Sequence, residues 1–252
     1  MSETSRTRRW EELPPRPTVG RSFATARPIR LSEMDATGRL RLDAVARYLQ
    51  DVATDDVAET GWGAPEHLWV VRRYALHVVA PFLDDREVEL VTWGSGVGAA
   101  AAGRRTSLTG DSGGRIEADS VWIHLSPDGR AARLDGFGVY AESAAGRVVS
   151  TKKALADPPS HAAGTRWPLR ATDVDVLGHV NNAVHWQAVE DVVFPELVDP
   201  RRPHAACLEY RHAVDLGDAV ELVPFEEHHA VGVGFVVGST VKAVARVVGV
   251  AG

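Results

Sequence analysis

The stretch Thr172-Asp173-Val174-Asp175-Val176-Leu177-Gly178-His179-Val180-Asn181-Asn182 gathers two carboxylates, an imidazole and two carboxamides around one glycine. Such groups can take a proton, return it, or hold a developing negative charge. Immediately downstream, Val184, Ala188, Val189, Val192 and Val193 recur on one side of a helix predicted over 182–194. The cluster therefore lies where a loop enters a helix, and the unpaired N–H groups of a helix start favour negative charge. An acyl oxygen that turns negative during hydrolysis of a thioester could rest against them. Asp175 could serve as base toward water or as nucleophile, and His179 could hold the water or the substrate carbonyl. Gly178 would let the backbone approach the substrate closely. The same residues also have a purely structural reading. Asn181 or Asn182 could be an N-cap, Asp173 or Asp175 a turn brace, and His179 a satisfied polar residue.

The elements that position this cluster occur twice. Ser32-Glu33-Met34-Asp35-Ala36-Thr37-Gly38-Arg39-Leu40 parallels 172–180 at an offset of 140 residues, and Val88-Glu89-Leu90-Val91 parallels Val220-Glu221-Leu222-Val223 at an offset of 132. A helix is predicted over 43–59, with Val45, Tyr48, Leu49, Val52 and Ala53 at helical spacing and Asp43 as N-cap. Strands are predicted over 69–79, 87–93 and 115–125 in the first copy. In the second they are predicted near 206–212, 219–223, 231–237 and 240–248. Each copy thus reads as a helix followed by antiparallel strands, an α+β layer with the sheet covering the helix. The expected organisation is an N-terminal arm (1–21), a first module (22–143), a linker (144–168) and a second module (169–252). Only the second copy keeps a histidine and two asparagines after the glycine; Arg39, Arg41 and Leu42 stand there in the first.

Composition narrows the function classes. The chain has 252 residues, 44% hydrophobic and 25% charged, with a formal net charge of −6. That balance suits a globular protein and argues against a general nucleic-acid binder. A single cysteine, Cys207, excludes a disulfide framework and zinc sites built on several thiolates, and in an apolar strand it reads as a buried thiol. The N-terminal residues lack the apolar run of a signal peptide and no stretch approaches a membrane span, so a cytoplasmic location is expected. Arg6, Arg8 and Arg9 read as a solvated tail. Gly94-Ser95-Gly96-Val97-Gly98 departs from the dinucleotide fingerprint and reads as a flexible turn or bulge. His228 and His229 are adjacent and read as surface residues.

Asp-x-x-Gly-His-Val-Asn-Asn before an amphipathic helix resembles the signature of hotdog-fold thioesterases. Its Asn-Asn form resembles that of the acyl-acyl carrier protein (ACP) thioesterases of plants and bacteria. Val91-Thr92-Trp93, the strand ending in Ser120-Val121-Trp122, and Leu208-Glu209-Tyr210-Arg211 resemble further elements of that family, in the same order over about residues 22–250. The resemblance implies a tandem (double) hotdog and hydrolysis of fatty acyl-ACP to free acid and carrier thiol, with neither metal nor other cofactor. It carries the catalytic Asp to Asp175 and the catalytic His to His179, and leaves oxyanion donors to Gly178 and the Asn181 region. It also shows gaps. The family's Asn two residues after the Asp is Leu177 here, and its Glu and Cys beyond the Leu-Glu-Tyr-Arg strand are Ala213 and Val214. Asn181, helix-entry N–H groups or a water would have to replace the missing Asn.

The first module would then shape the acyl pocket, with Val45, Leu49, Trp62, Trp69 or Trp93 as lining candidates. Arg72–Arg73, Arg104–Arg105, Arg166 with Arg170, and Arg201–Arg202 are candidate contacts for an acidic carrier protein. Two alternatives stay open: an acyl-CoA hydrolase, and a non-catalytic acyl- or carrier-binding module. A monomer and a homodimer are both compatible with two fused modules.

Overall fold

Val45, Tyr48, Leu49 and Val52 form one buried stripe along helix α1 (Leu42–Thr60), as their spacing requires. The helix belongs to a computed structural model that describes residues 13–60, 68–134, 137–160, 162–194, 196–227 and 229–249. The N-terminal tail with Arg6, Arg8 and Arg9, Trp62 and His228 lie outside the described residues. Asp43 is not the N-cap expected of it. The helix already begins at Leu42, and Asp43 is fully buried in the first turn, where it pairs with Arg41 at 2.8 Å and Arg47 at 2.5 Å.

The first half contributes strands β1 (Ser22–Pro28), β2 (Leu68–Ala80), β3 (Glu87–Val97), β4 (Ala101–Gly110) and β5 (Arg115–Leu125). A short helix α2 (Ala141–Ala144) follows. The second half contributes β6 (Thr165–Arg166), helix α3 (Asn182–Val193), β7 (His204–Tyr210), β8 (Glu221–Glu227), β9 (Ala230–Val237) and β10 (Thr240–Gly249). All ten strands join in one antiparallel sheet of order β1-β3-β4-β5-β2-β7-β10-β9-β8-β6. Reading outward from the central β2–β7 pair gives the same order in each half, so the duplication seen in sequence is a pseudo-twofold relation in space. The register at that seam runs from Arg73 opposite Glu209 to Val78 opposite His204.

One continuous apolar core lies under the sheet and includes side chains from both long helices, among them Tyr48, Tyr74, Leu90, Trp186, Leu208 and Phe235. Fully burying each large apolar side chain stabilises the fold by about 1.5–3 kcal/mol. Helices α1 and α3 pack on one another across the seam, which brings the first motif loop and the start of α1 against α3.

Strands β1, β4 and β6 and the C-terminal end of β3 escaped the sequence pattern. β4 reads AAGRRTSLTG, poor in β-branched residues, and is held by pairing to β3 and β5 on both sides. The glycine run after Trp93 is not a loop: β3 continues to Val97, with a register shift between Gly94 and Gly96. A Cβ on Gly94 would come within 2.8 Å of Tyr140 Cβ and 3.0 Å of the Phe137 ring. The glycine there makes room for the aromatic pair beside α2.

The chain between the halves crosses the outer face of the sheet. Leu155 packs with Cys207 and Val244, the buried Glu209 carboxylate accepts from the Ala154 N–H at 2.6 Å, and Arg211 donates to Leu155 O at 2.8 Å and pairs with Asp157. The charged members of Leu-Glu-Tyr-Arg therefore fasten this crossing segment. Leu208 and Tyr210 face the core.

Candidate active site

The two motif loops fold alike. Each opens with a single 3-10 turn (Leu31–Glu33, Ala171–Asp173), closed by its acid accepting from the N–H of Arg30 at 2.6 Å or Arg170 at 2.8 Å. Each then turns back through a hydrogen bond from Gly38 N–H to Asp35 O or Gly178 N–H to Asp175 O, both at 3.0 Å. Both glycines sit at φ +80°, a left-handed conformation that strains any residue with a Cβ. A Cβ on Gly178 would meet nothing within 4 Å, so backbone conformation rather than a crowded contact calls for glycine. Each loop is tied to the turn after its half's first long strand, Leu40 N–H to Phe82 O at 3.1 Å and Val180 N–H to Val214 O at 2.8 Å.

On this shared frame the side chains diverge. Asp35 is saturated. Its carboxylate accepts from Thr37 N and Oγ1 at 2.8 Å, and from Arg39 N and Nε at 3.0 Å, bonds that hold its pKa below the ordinary value against its partial burial. Arg39 is buried and also donates to Glu190 Oε1 of α3 at 2.7 Å. The same oxygen accepts from the Leu42 N–H at 3.0 Å. The first copy is thus an internally neutralised joint.

Among the described residues the Asp175 carboxylate accepts two bonds, from Leu177 N at 2.9 Å and from Asn181 Nδ2 at 3.0 Å. Asn181 is the N-cap of α3, its Oδ1 accepting from Ala183 N at 2.9 Å. One side chain thus joins the start of the helix to the Asp175 carboxylate, so capping and site-positioning are the same role. Asp173 is the turn brace, buried and paired with Arg170 at 2.8 Å. Leu177 points outward and is 46% exposed.

His179 replaces the buried Arg39 and turns toward solvent, where its Nδ1 lies 2.8 Å from Asp215 Oδ1. A carboxylate only accepts, so Nδ1 carries the proton and Nε2 faces away from Asp215. Asp215 was not found in the sequence. It stands two residues past Ala213, where the resemblance led us to look for a Glu, on the loop held to the motif by Val180 N–H. Reading on past the vacant position would have reached it. The loop is further fixed by Asp218, which accepts from Asp215 N at 3.0 Å and pairs with Lys242 at 3.1 Å.

Beneath the motif, Tyr210 donates its hydroxyl to Asn182 O at 2.7 Å. His185 is buried among Trp167, Tyr210 and Phe235, with its Nδ1 3.3 Å from Asn181 O. Burial pushes its pKa down to about 4, so the ring is neutral and donates to that carbonyl.

The remaining candidates separate clearly. Burial pushes the Cys207 thiol up to about 12, which makes it an inert core group. Val45, Leu49 and Trp93 are core residues, and Trp69 is half-buried. His229 is exposed at φ 64°. Among the basic clusters, Arg72 pairs with Glu209, Arg104 with Asp56 and Arg105 with Glu117, whereas Arg166, Arg170, Arg201 and Arg202 are exposed. Among the described residues, no group of three or more His, Cys, Asp or Glu is placed to hold a metal ion, and no helix is long and apolar enough to cross a membrane.

Comparison with known proteins agrees with this architecture. Residues 20–134 match the family model for the acyl-ACP thioesterase N-terminal domain and residues 157–240 match that for its C-terminal domain. The Mycobacterium tuberculosis protein Rv2001 is 30% identical over 236 residues, covering 91% of this chain and 93% of that protein. The chloroplastic oleoyl-acyl carrier protein thioesterase 1 of Arabidopsis thaliana is 25% identical over 231 residues, covering 80% of this chain and 63% of that protein. An acyl-ACP thioesterase structure from Bacteroides thetaiotaomicron superimposes with a TM-score of 0.72 at 18% identity, over 90% of this chain and 97% of that one, a likeness of fold. The chain belongs to the acyl-ACP thioesterase family of thioester hydrolases and carries that family's paired hotdog modules in one polypeptide.

Proposed function

We propose that the protein hydrolyses a fatty acyl-ACP thioester at the second motif, with Asp175 as general base, His179 positioned by Asp215, and Asn181 and Gly178 fixing the loop that meets the acyl oxygen. The observation that carries this reading is the asymmetry of the two copies. The Asp35 carboxylate is saturated by its own loop and Arg39, while Asp175 keeps acceptor capacity beside an outward-facing imidazole.

In the proposed reaction Asp175 takes a proton from water as its oxygen attacks the thioester carbon. The carbonyl oxygen becomes negative and is held by N–H groups at the start of α3, where the helix field favours negative charge. His179, its Nδ1 proton directed to Asp215, presents Nε2 to the attacking water. Collapse breaks the C–S bond. The carrier leaves as its thiol with the proton that Asp175 accepted, and the carboxylic acid gives its remaining proton to solvent and departs as carboxylate. Asn181 replaces part of what the family's missing Asn would do, because its Nδ2 holds Asp175 Oδ2. Direct attack by Asp175 on the thioester carbon would give an acyl-enzyme anhydride instead, and incorporation of heavy oxygen from water into Asp175 in a single turnover distinguishes the two.

The first module (22–143) would supply the acyl pocket, the second (169–252) the chemistry, and 144–168 the crossing between them. A cytoplasmic role in fatty acid synthesis follows from the carrier-linked substrate. Thiol release from acyl-ACP and acyl-CoA across chain lengths is the test. Turnover of acyl-ACP that Asp175→Ala abolishes is the expected result. Binding of acyl chains without turnover by the unaltered protein would replace hydrolysis with a carrier-binding role.

A further inference from the structure

The pseudo-twofold relation gives every residue of the catalytic motif a counterpart in the first loop, and that first loop is completed by a side chain from the other module. At the first loop, the anchor position next to the buried Arg39 is filled by the Glu190 carboxylate, which reaches across from α3 to the Leu42 N–H at 3.0 Å and to Arg39 at 2.7 Å. At the offset of 140 residues that relates the motifs, Leu42 corresponds to Asn182, Arg39 to His179 and Glu190 to Gln50. Gln50 lies on α1 and is half-buried. The two helices pack on one another, and a second α3 side chain reaches the same end of α1, Gln187 donating to Asp43 at 2.7 Å one turn away from Glu190. The second side lacks the closure of the first: among the described residues the Gln50 side chain and the Asn182 N–H make no hydrogen bond, and His179 has turned out to Asp215.

The chain therefore displays, in its non-catalytic copy, an oxygen anion held by a helix-start N–H and the residue after the glycine. We propose that Gln50 is a substrate-contacting residue contributed by the first module. Its amide N–H and the Asn182 N–H hold the thioester carbonyl oxygen where Glu190 places its own carboxylate oxygen in the other copy. A glutamine suits this role because it donates to a developing oxyanion, whereas a glutamate would occupy the position itself. The proposal rests on hydrolysis at the second motif.

The test compares Gln50→Ala, Gln50→Glu and Gln50→Asn with the unaltered enzyme, reading kcat, KM, thermal midpoint, and binding of an acyl-ACP analogue in which an amide replaces the thioester. Gln50→Ala should lower kcat about 10- to 100-fold with a small change in KM, since an oxyanion donor acts mainly on the transition state. Gln50→Glu should be as inactive or worse near neutral pH, and should regain part of its activity as the pH is lowered and the new carboxylate is protonated. All three should keep the thermal midpoint of the unaltered enzyme and still bind the analogue. Full activity in Gln50→Ala, or equal activity of Gln50→Glu and the unaltered enzyme, would overturn the proposal. An unaltered enzyme with no turnover on any thioester would instead overturn the hydrolytic reading on which it rests. A variant that loses activity together with its thermal midpoint would also count against it, as a merely structural role.

Discussion

His179 Nδ1 and Asp215 Oδ1 lie 2.8 Å apart, joining the catalytic motif to the loop that follows the central strand β7. Both side chains are about half exposed, so the pair contributes little to stability. In the proposed mechanism its effect is to fix which imidazole nitrogen faces the substrate. Asp215→Asn should therefore lower kcat about tenfold while moving folding stability by less than about 0.5 kcal/mol. Asp215→Glu should restore part of the rate. An unchanged kcat in Asp215→Asn would remove Asp215 from the mechanism.

His185 gives the site an acid limit. Its folded pKa is about 4, below the usual imidazole value of 6.5, so the unfolded chain binds the extra proton first as the pH falls. Stability present above pH 6.5 is lost between 6.5 and 4, by about 3 kcal/mol at about 1.36 kcal/mol per unit. Urea unfolding at pH 7 and pH 4.5 should show this loss in the unaltered protein, and His185→Phe should reduce it. Equal pH dependence in the two would contradict the assignment.

The Arg39–Glu190 pair is a structural joint between modules. Removing one partner of a buried pair leaves the other uncompensated, so Glu190→Ala should destabilise by about 3–5 kcal/mol in urea unfolding. Glu190→Gln, which keeps an acceptor for the Leu42 N–H, should cost less.

Carrier choice can be read from charge. Arg166 is exposed and four residues before Arg170, which braces the motif through Asp173. Arg166→Glu should raise KM for acyl-ACP several-fold at low salt, leave acyl-CoA turnover nearly unchanged, and lose its effect at high salt. Equal effects on both substrates would remove this cluster from carrier docking.

Much of the fold was legible from the chain because its signals are local. Apolar residues at helical spacing marked α1 and α3, strand-forming composition marked β2, β3, β5, β9 and β10, and the repeated Asp-x-x-Gly marked the duplication. β4 was not legible, since its composition is poor in strand formers and its pairing comes from neighbours distant in sequence. The glycines after Trp93 were read as a turn or a bulge, and β3 does shift register between Gly94 and Gly96; that the strand runs on to Val97 was not legible, because the aromatics these glycines accommodate, Phe137 and Tyr140, lie more than forty residues away. Within the proposed site, Asp175, Gly178, His179 and Asn181 could be picked out because they fall within one seven-residue stretch. Asp215 could not, because only the fold brings its loop to the motif.

The most direct test of the account is steady-state hydrolysis of acyl-ACP by Asp175→Asn, a substitution that keeps the shape and one of the two accepting oxygens but removes the base. The account predicts a fall in kcat of at least about 100-fold with KM and thermal midpoint nearly unchanged, while Asp35→Asn in the other copy leaves kcat within about threefold. Comparable losses in the two variants, or an active Asp175→Asn, would contradict the claim that only the second motif is catalytic.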